Sequence, residues 1–412
     1  MGDNRQVTVW DSMVGQAQAV ATLRAAAADA ASTQPGSAMT HAWLLTGPPG
    51  SGRSTAATAF AQSLVCSEQG CGSCLQCRLV VAGSHPDVEI IRPDGISYKT
   101  ADARALVARA SMAPTQSKWH VIVLEDADRL TETANNVLLK AIEEPPPRAV
   151  WLLCTPSVED VLPTIRSRCR HVSLRSPGVY EIADYLVQTA GVDHATAVFA
   201  ARASQGHVGR ARALAADHEV RKRRQAILAV PGSLDGLKAC MQAAAGLVDT
   251  ARADAAAATA DLDEKEEREL RMAWGEGAEG RGVKGGVRGI KGAIKELLDK
   301  QSSRRTRVQR DQLDRALIDL IAFYRDVLVV QFGAHQPTVA GVEPEGSISL
   351  VNDEIHTLIE KTAALGTPVD TMYRIDALEH ARQALIANVT PLLAMQALTV
   401  DLRNPAARRS LA

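Results

Sequence analysis

The sequence predicts a protein in two parts, an α/β domain with a mostly parallel sheet and a longer region made of helices. Four short apolar or β-branched runs are each followed by a helical pattern, at 42–46, 87–93, 120–126 and 149–155, and a last run occupies 171–177. Such runs alternating with helices are typical of a parallel sheet covered on both faces. After Tyr180 the strand signals almost vanish, so we expect only helices beyond it.

Composition sets the bounds on function. The 412 residues, 46% apolar and 23% charged, are enough for two or three domains. A net charge of -1 excludes a uniformly basic nucleic-acid binder, and 3% aromatic residues argue against a base-stacking surface. Neither a signal peptide nor an apolar run of membrane-spanning length is present in the sequence, so we expect a cytoplasmic protein.

The first strand leads into a glycine-rich stretch, LLTGPPGSGRSTAA, that is one residue away from a phosphate-binding P-loop. Gly47 is followed by four residues, then Gly52, Arg53 and Ser54, where the motif has lysine in the place of Arg53. Backbone N–H groups of such a loop cradle phosphates, and its Ser or Thr binds Mg²⁺. Because a planar guanidinium does not replace an ammonium there, ATP binding stays open while efficient hydrolysis is not expected. The candidate binding residues are Gly47, Pro48, Pro49, Gly50, Ser51, Gly52, Arg53, Ser54 and Thr55.

The strand in VIVLEDADRL ends in two acids, as a Walker-B strand does. A Walker-B strand carries Asp for the magnesium shell and then Glu for the attacking water. Here Glu125 stands at the first position and Asp126 at the second, so the order is reversed. We interpret the pair as a degenerate Walker-B element, with a solvated acidic turn as the alternative.

Four of the seven cysteines lie within twelve residues. Cys66, Cys71, Cys74 and Cys77 have the spacing C-x4-C-x2-C-x2-C. Four thiolates close a tetrahedral structural Zn²⁺ site, and this crowding favours metal binding over a disulfide framework. Iron–sulfur ligation is the competing interpretation, but nothing else in the chain supplies a redox role. Unliganded thiols are the remaining alternative.

A third group of candidates follows the strand that ends at Thr155. The segment TIRSRCR presents Arg168 on a predicted surface turn. An arginine on such a turn can stabilise the γ-phosphate bound by a neighbouring subunit. Taken alone, a basic triplet is usually only a solvated surface.

Together these motifs resemble one family. VGQ at 14–16, the glycine-rich loop, the cysteine insert, SHPDV at 84–88, NNVLLKAIEEPP at 135–146 and SRC at 167–169 are similar to the clamp-loader subunits of bacterial DNA polymerase III, which are AAA+ proteins. The resemblance covers about the first 215 residues. It implies a RecA-like AAA+ domain with a zinc module, a small helical lid, and an all-α collar that joins five subunits in a ring.

The resemblance also implies domain limits and residue roles. The AAA+ domain would span 1–176 with the zinc module at 66–77, the lid 177–217 and the collar 218–412. Val14, Gly15 and Gln16 match the segment that lines the adenine pocket, and Thr155 matches the sensor-1 position. Arg168 matches the arginine finger that enters the ATP site of an adjacent motor subunit.

Within the family, three departures fall on one site. They are Arg53, the reversed acids Glu125 and Asp126, and Gly209 where the lid of a motor subunit has an arginine. The pattern resembles a stator-like subunit that does not hydrolyse ATP itself. Its implied partners are gamma/tau motor subunits and the delta subunit, and, through the complex, the sliding clamp and primer-template DNA. The alternative is an active gamma/tau-type ATPase; an AAA+ protein unrelated to replication is disfavoured by the EEPP and SRC segments.

The last third contains more residues than a plain collar requires, and the excess is expected near 250–310. A helix there would carry a basic stripe of Arg281, Lys284, Arg288, Lys291 and Lys295. Five glycines between 282 and 292 argue against a helix, at about 0.8 to 1 kcal/mol each relative to alanine. A mobile basic insert is therefore expected, with a DNA or partner contact as the alternative.

Overall fold

Residues 8–32, 36–93, 95, 97–273, 286–335 and 348–405 are described in the computed structural model of the chain, with only the backbone at 286–291. Two compact units divide the chain, Met1–Ala216 and Asp217–Ala412. The first contains all the strands of the described residues, and the second is helical. Among the described residues, no helix combines the length and the apolar character needed to cross a bilayer.

The first unit is built on a five-stranded parallel sheet, as the sequence predicts. Its strands are β1 (Ala42–Thr46), β2 (Val88–Ile91), β3 (His120–Leu124), β4 (Ala149–Thr155) and β5 (Arg170–Ser173). Their order is β2-β3-β4-β1-β5, and every neighbouring pair is parallel. The carboxyl ends of β1, β3 and β4 therefore meet at one edge of the sheet, which is where open α/β sheets bind ligands.

Helices cover both faces of this sheet. The helices of this unit are α1 (Ala17–Ala31), α2 (Arg53–Val65), α3 (Leu75–Val81), α4 (Thr100–Ala110), α5 (Glu132–Glu143), α6 (Pro163–Arg166), α7 (Val179–Ala190), α8 (His194–Ser204) and α9 (Val208–Ala216). The last three follow the final strand and pack on one another. Successive strand residues alternate between two apolar cores. Trp43 and Leu45 pack with Phe60 of α2, whereas Leu44 packs with Leu138 of α5. The three central strands β1, β3 and β4 are buried along their whole length and are therefore almost continuously apolar.

Asp87, in the SHPDV segment, fastens the loop before β3. Its carboxylate is 2% exposed and accepts hydrogen bonds from the backbone N–H groups of Thr115, Gln116 and Ser117 and from the Thr115 hydroxyl. Burial by itself would raise the pKa of Asp87, but these hydrogen bonds lower it from 3.8 to about 2. The ionised form is therefore the one that the folded chain stabilises.

We expect Asp87→Asn to lower the free energy of unfolding of the first unit at pH 7 by roughly 2 kcal/mol, because the amide leaves buried N–H donors without a charged acceptor. The pKa of Asp87 is lower in the folded chain than in the unfolded chain. Its carboxylate therefore stabilises the fold fully above about pH 4, and this stabilisation is lost as the pH falls towards 2. Urea unfolding should show a smaller difference in the free energy of unfolding between wild type and Asp87→Asn at pH 3 than at pH 7. Exposed Asp184→Asn is the control, and equal midpoints for Asp87→Asn and wild type would refute the role of Asp87.

The second unit is a bundle of α10 (His218–Ala229), α11 (Leu237–Ala273), α12 (Gly286–Gln331), α13 (His356–Ala364), α14 (Pro368–Ile386) and α15 (Pro391–Arg403). Its core brings together apolar residues of these helices, among them Leu317, Phe323, Leu378 and Leu398. A buried polar cluster lies beside this core, where the guanidinium of Arg224 contacts Glu354, Asn352 and Asp319.

One expectation for this unit is wrong. The glycines near 282–292 argue against a helix, yet α12 begins at Gly286 and continues through Gly289 and Gly292. Helix propensity is a weak preference that tertiary contacts override. Further along α12, Arg304 joins the helix to α11, pairing with Asp263 at 2.8 Å and Glu266 at 2.6 Å.

The predicted basic stripe lies largely outside the described residues. Arg281 and Lys284 are not described, and Arg288 and Lys291 are described by their backbone alone. Between 251 and 310, the described residues belong to the two long helices α11 and α12.

Candidate functional site

The glycine-rich loop connects the end of β1 to α2, as predicted. Its first residue, Gly47, donates its N–H to the Pro156 carbonyl at 3.1 Å. Gly47 has a φ of +155°, and a Cβ there would lie 2.5 Å from the Leu174 carbonyl oxygen, so only glycine fits. At its other end, Gly52 caps α2 in the left-handed conformation, and α2 begins at Arg53. The loop therefore directs the N-terminus of a helix towards the sheet edge.

Gln16 connects the VGQ segment to this loop. Its side-chain amide is buried and donates hydrogen bonds to the backbone carbonyls of Ser51 at 3.1 Å and Arg175 at 2.6 Å. Its amide oxygen accepts from the Arg175 N–H at 3.2 Å. The three predicted segments around 14–16, 47–55 and the end of β5 are thus brought together through one side chain.

The residue before α9 touches the same loop. Gly50 has a φ of +86°, and a Cβ at this position would lie 2.5 Å from the Cβ of His207. His207 lies just before α9, and its Nδ1 accepts a hydrogen bond from the Arg210 N–H at 3.2 Å. Glycine is therefore required at position 50 to let His207 approach the loop backbone.

The predicted Walker-B acid Glu125 is bound by an arginine of its own chain. Its side chain is 9% exposed, and both oxygens accept hydrogen bonds from Arg92, at 2.7 Å from Nε and 3.0 Å from Nη2. Hydrogen bonding to Glu125 is the main reason that the pKa of Arg92 is raised. The Tyr98 hydroxyl holds the backbone of the same residue, donating to the Glu125 carbonyl at 2.6 Å.

The other predicted residues of this edge have separate environments. Asp126 takes a left-handed conformation, φ +50°, and lies 3.9 Å from the Nε of Arg129. Thr155 is fully buried at the end of β4, and its hydroxyl donates to the Ser157 carbonyl at 3.2 Å. Arg53 carries a buried Nη1 that has no hydrogen-bond partner within the described residues.

These residues do not fit a magnesium site of the ordinary Walker type. The carboxylate expected to contribute to the metal shell already has both oxygens engaged by Arg92. A divalent cation would have to displace a bidentate, charge-assisted contact from a largely buried group.

The four cysteines converge on one point. The sulfurs of Cys66, Cys71, Cys74 and Cys77 all lie within 4.8 Å of one another. The sulfur of Cys66 is 3.7 Å from those of Cys71 and Cys74. Four sulfurs about 2.3 Å from one Zn²⁺ in a tetrahedron would be about 3.8 Å apart, so the cluster has room for one zinc ion.

Backbone N–H groups favour the thiolate at Cys71, whereas burial raises the pKa of the Cys74 and Cys77 thiols. N–H groups of Cys74 and Ser73 lower the pKa of the Cys71 thiol to about 6. The N–H of Cys77 points at the sulfur of Cys74 at 3.4 Å. The segment is joined to the rest of the unit, because Gln62 of α2 donates to the Cys77 carbonyl at 3.0 Å and Val9 donates to the Gly70 carbonyl at 3.0 Å.

Arg168 lies away from the glycine-rich loop. It precedes β5, whose first residue Arg170 pairs with Trp43 near the start of β1, whereas the loop follows Thr46 at the end of β1. The side chain is 40% exposed and its Nη2 lies 2.7 Å from Oε1 of Glu143, the last residue of α5. Arg168 therefore lies at the amino ends of the parallel strands, whereas the loop of its own chain lies at their carboxyl ends.

Three residues of these sites were not predicted from the sequence: Arg92, Glu143 and His207. Arg92 follows a strand with no motif around it, and its partner is 33 residues away. Glu143 belongs to the EEPP segment, and nothing in that segment's sequence connects it with Arg168. For His207 the one available signal was its place two residues before Gly209, where a motor subunit of the resembled family has an arginine.

Comparison with known proteins finds sequence relatives of part of the chain. Residues 24–178 match the family model described as DNA polymerase III, delta subunit. The chain is 35% identical over 153 residues to DNA polymerase III subunit delta' of Bacillus subtilis, which covers 36% of this chain and 46% of that protein. It is 33% identical over 180 residues to subunit delta' of Escherichia coli, covering 42% and 54%. Subunit gamma/tau of Mycobacterium tuberculosis is 36% identical over 140 residues, covering 33% and 24%.

Solved structures also resemble the chain. The RuvB Holliday junction branch migration motor of Thermotoga maritima has a TM-score of 0.38 at 19% identity, covering 55% of this chain and 66% of that one. A gamma subunit-related protein of DNA polymerase III from the same organism has a TM-score of 0.37 at 15% identity, covering 88% and 93%. Both scores are low, and neither likeness bears on function.

The match to the family model lies in the first unit. The chain spans about half the length of the delta' relatives and about a quarter of the gamma/tau relative. The match to the family model and the identities of 33–36% agree with the motifs from which the resemblance was first inferred. Over residues 24–178 the chain therefore resembles the family model of DNA polymerase III, delta subunit, and its relatives at 33–36% identity are subunits delta' and gamma/tau of DNA polymerase III.

Proposed function

We propose that the chain is a delta'-type, stator-like subunit of a clamp loader, which does not hydrolyse ATP itself and supplies Arg168 to the ATP site of a neighbouring motor subunit. In this role it would assemble with gamma/tau and delta subunits in a five-membered ring that loads the sliding clamp onto primed DNA. The second unit would form the collar of that ring, and α7, α8 and α9 would form the helical lid that follows the AAA+ domain.

The observation that carries the proposal is the placement of Arg168. It is exposed at the edge of the sheet where β5 begins, opposite the edge where the glycine-rich loop follows β1. A guanidinium in that place has no access to a nucleotide on its own loop. Any phosphate that it contacts must therefore belong to another subunit, which is how a trans-acting arginine works.

The state of the chain's own nucleotide site supports the same proposal. Glu125 is occupied by Arg92, the P-loop lysine is replaced by Arg53, and the lid residue His207 lies against Gly50. Hydrolysis needs a metal ion, a positioned water and a cation at the γ-phosphate. Each of these requirements is compromised by a residue of the chain itself.

The cysteine cluster is proposed to hold one structural Zn²⁺ through Cys66, Cys71, Cys74 and Cys77. The sulfur separations of 3.7 Å support tetrahedral ligation. Bound zinc would offset two of the four thiolate charges and fix the loop between α2 and α3, on which the Val9–Ser12 segment packs. The site is closed, because four protein ligands leave no position for a substrate.

The second candidate is an active gamma/tau-type ATPase of the same complex. One observation favours it, since gamma/tau of Mycobacterium tuberculosis is 36% identical over 140 residues, as similar as the delta' relatives. The two functions differ in ATP turnover by the chain alone. ATP binding and hydrolysis should be measured first on the isolated chain, then on a complex reconstituted with motor subunits, delta and sliding clamp. Turnover that requires the motor subunits supports the stator role, and turnover by the chain alone supports the alternative.

We expect Arg53→Lys to leave the isolated chain without ATPase activity. The lysine restores one phosphate contact, but Glu125 still pairs with Arg92 and the lid still lacks its arginine. Steady-state phosphate release should be compared between wild type, Arg53→Lys and a motor subunit assayed in parallel. A turnover of about 1 per second or more by the variant, which is within the ordinary enzyme range, would overturn the stator assignment.

A further inference from the structure

Arg168 is restrained by three contacts within its own chain. Its Nη2 lies 2.7 Å from Oε1 of Glu143, and its Nη1 donates to the Thr164 carbonyl at 2.8 Å and the Ser167 hydroxyl at 3.2 Å. Thr164 and Ser167 belong to the same short turn as Arg168. Glu143 is different, because it is the last residue of α5. It is therefore the contact that ties the guanidinium to a separate element of the unit.

The contacts leave one side of the guanidinium available. Within the described residues, Nε of Arg168 has no hydrogen-bond partner, and the side chain is 40% exposed. A guanidinium has five N–H donors in a rigid fork. Fixing Nη1 and Nη2 from one side orients the plane of the fork and presents its remaining donors to solvent.

The pair is not needed for folding. Glu143 is 37% exposed and Arg168 is 40% exposed, and ion pairs between exposed side chains contribute little to stability. Replacement of Glu143 should therefore leave the unit folded, so that any change in activity reports on the position of Arg168.

We propose that Glu143 is a positioning residue that orients Arg168 for a phosphate on a neighbouring subunit. The inference rests on the proposed function of Arg168. An arginine side chain loses considerable rotational freedom when it takes one geometry, and a contact that imposes this geometry beforehand removes that cost from the reaction. The carboxylate of Glu143 acts on the guanidinium and does not itself touch the nucleotide.

The test uses the reconstituted complex with Glu143→Ala, Glu143→Gln or Arg168→Ala in this chain. Clamp- and DNA-stimulated ATP hydrolysis is measured as kcat and KM. Glu143→Ala should lower kcat about fivefold through misplacement of the arginine, with KM for ATP changed by less than about twofold. Glu143→Gln keeps an acceptor oxygen at the same reach and should recover part of the loss. Glu144→Ala, at the next position of the EEPP segment, is the matched control and should behave as wild type.

A double-mutant cycle separates positioning from a general effect. If Glu143 acts through Arg168, Glu143→Ala should cause no further loss in a chain that already carries Arg168→Ala. A further fivefold loss, or an unchanged or raised kcat for Glu143→Ala alone, would overturn the inference and leave the role of Arg168 standing. If Arg168→Ala alone has no effect, the proposed function fails, and the positioning role fails with it.

Discussion

Arg168→Ala should lower ATP hydrolysis at the neighbouring site that receives this side chain by about 10³-fold or more, since a trans-acting arginine contributes about 10³ to 10⁵ in rate. The guanidinium stabilises negative charge that develops on the γ-phosphate oxygens in the transition state. Arg168→Lys should restore little, because a point charge on a flexible stem cannot reproduce the planar fork. Steady-state ATP hydrolysis and clamp loading by the reconstituted complex measure both effects.

The experiment has a matched control on the same turn. Arg166 is exposed and lies two residues before Arg168, so Arg166→Ala removes the same charge from the same surface. Gel filtration should show an assembled ring for all three variants, and circular dichroism a folded chain. If the Arg168→Ala complex assembles and hydrolyses ATP as fast as wild type, Arg168 is an ordinary surface residue.

Removal of zinc should unfold the cysteine segment. Structural Zn²⁺ bound by zinc-finger peptides contributes about 10 to 16 kcal/mol of apparent binding free energy, so its loss outweighs any other single change proposed for this chain. We expect purified protein to contain one zinc ion per chain. Cys77→Ser should lose the metal and expose the Val9–Ser12 segment, which is held to the cysteine loop through the Gly70 carbonyl, to limited proteolysis.

Cys169→Ser provides the comparison, because Cys169 lies outside the cluster and is partly buried. It should retain both the metal and the protease resistance of wild type. Metal analysis that finds no zinc in the purified protein, or a Cys77→Ser variant with full metal content, would remove the site.

Local sequence patterns were enough for much of the first unit. The strand at Ala42–Thr46 and the strand at Ala149–Thr155 were predicted to the residue, because a buried parallel strand is a short apolar run between turn signals. The cysteine cluster was predicted for the same kind of reason. Its four thiols lie within one short segment, so their spacing alone restricts how they can converge.

The identities of Arg53, Glu125 and Asp126 could also be read directly, and with them the prediction of a defective nucleotide site. The ion pair between Glu125 and Arg92 could not be predicted from the sequence. Arg92 and Glu125 are 33 residues apart and end neighbouring strands, β2 and β3. Their contact depends on the strand order of the sheet, which local periodicity does not specify.

The long helix α12 shows the limit of propensity. Counting glycines between 282 and 292 predicts a break, and each residue considered alone supports that prediction. Arg304 of α12 pairs with Asp263 and Glu266 of α11. A count of glycines along one helix does not include contacts with a second helix.

The sequence by itself therefore determined most strand positions, the four clustered cysteines and the departures of Arg53, Glu125 and Asp126 from the nucleotide-binding motifs, because each depends on residues close together in the chain. Only the tertiary structure decided that Arg92 occupies Glu125, that Glu143 holds Arg168, and that Arg168 lies at the opposite sheet edge from the glycine-rich loop. These three facts arise from the order in which parallel strands are joined, and that order is set by packing among distant segments.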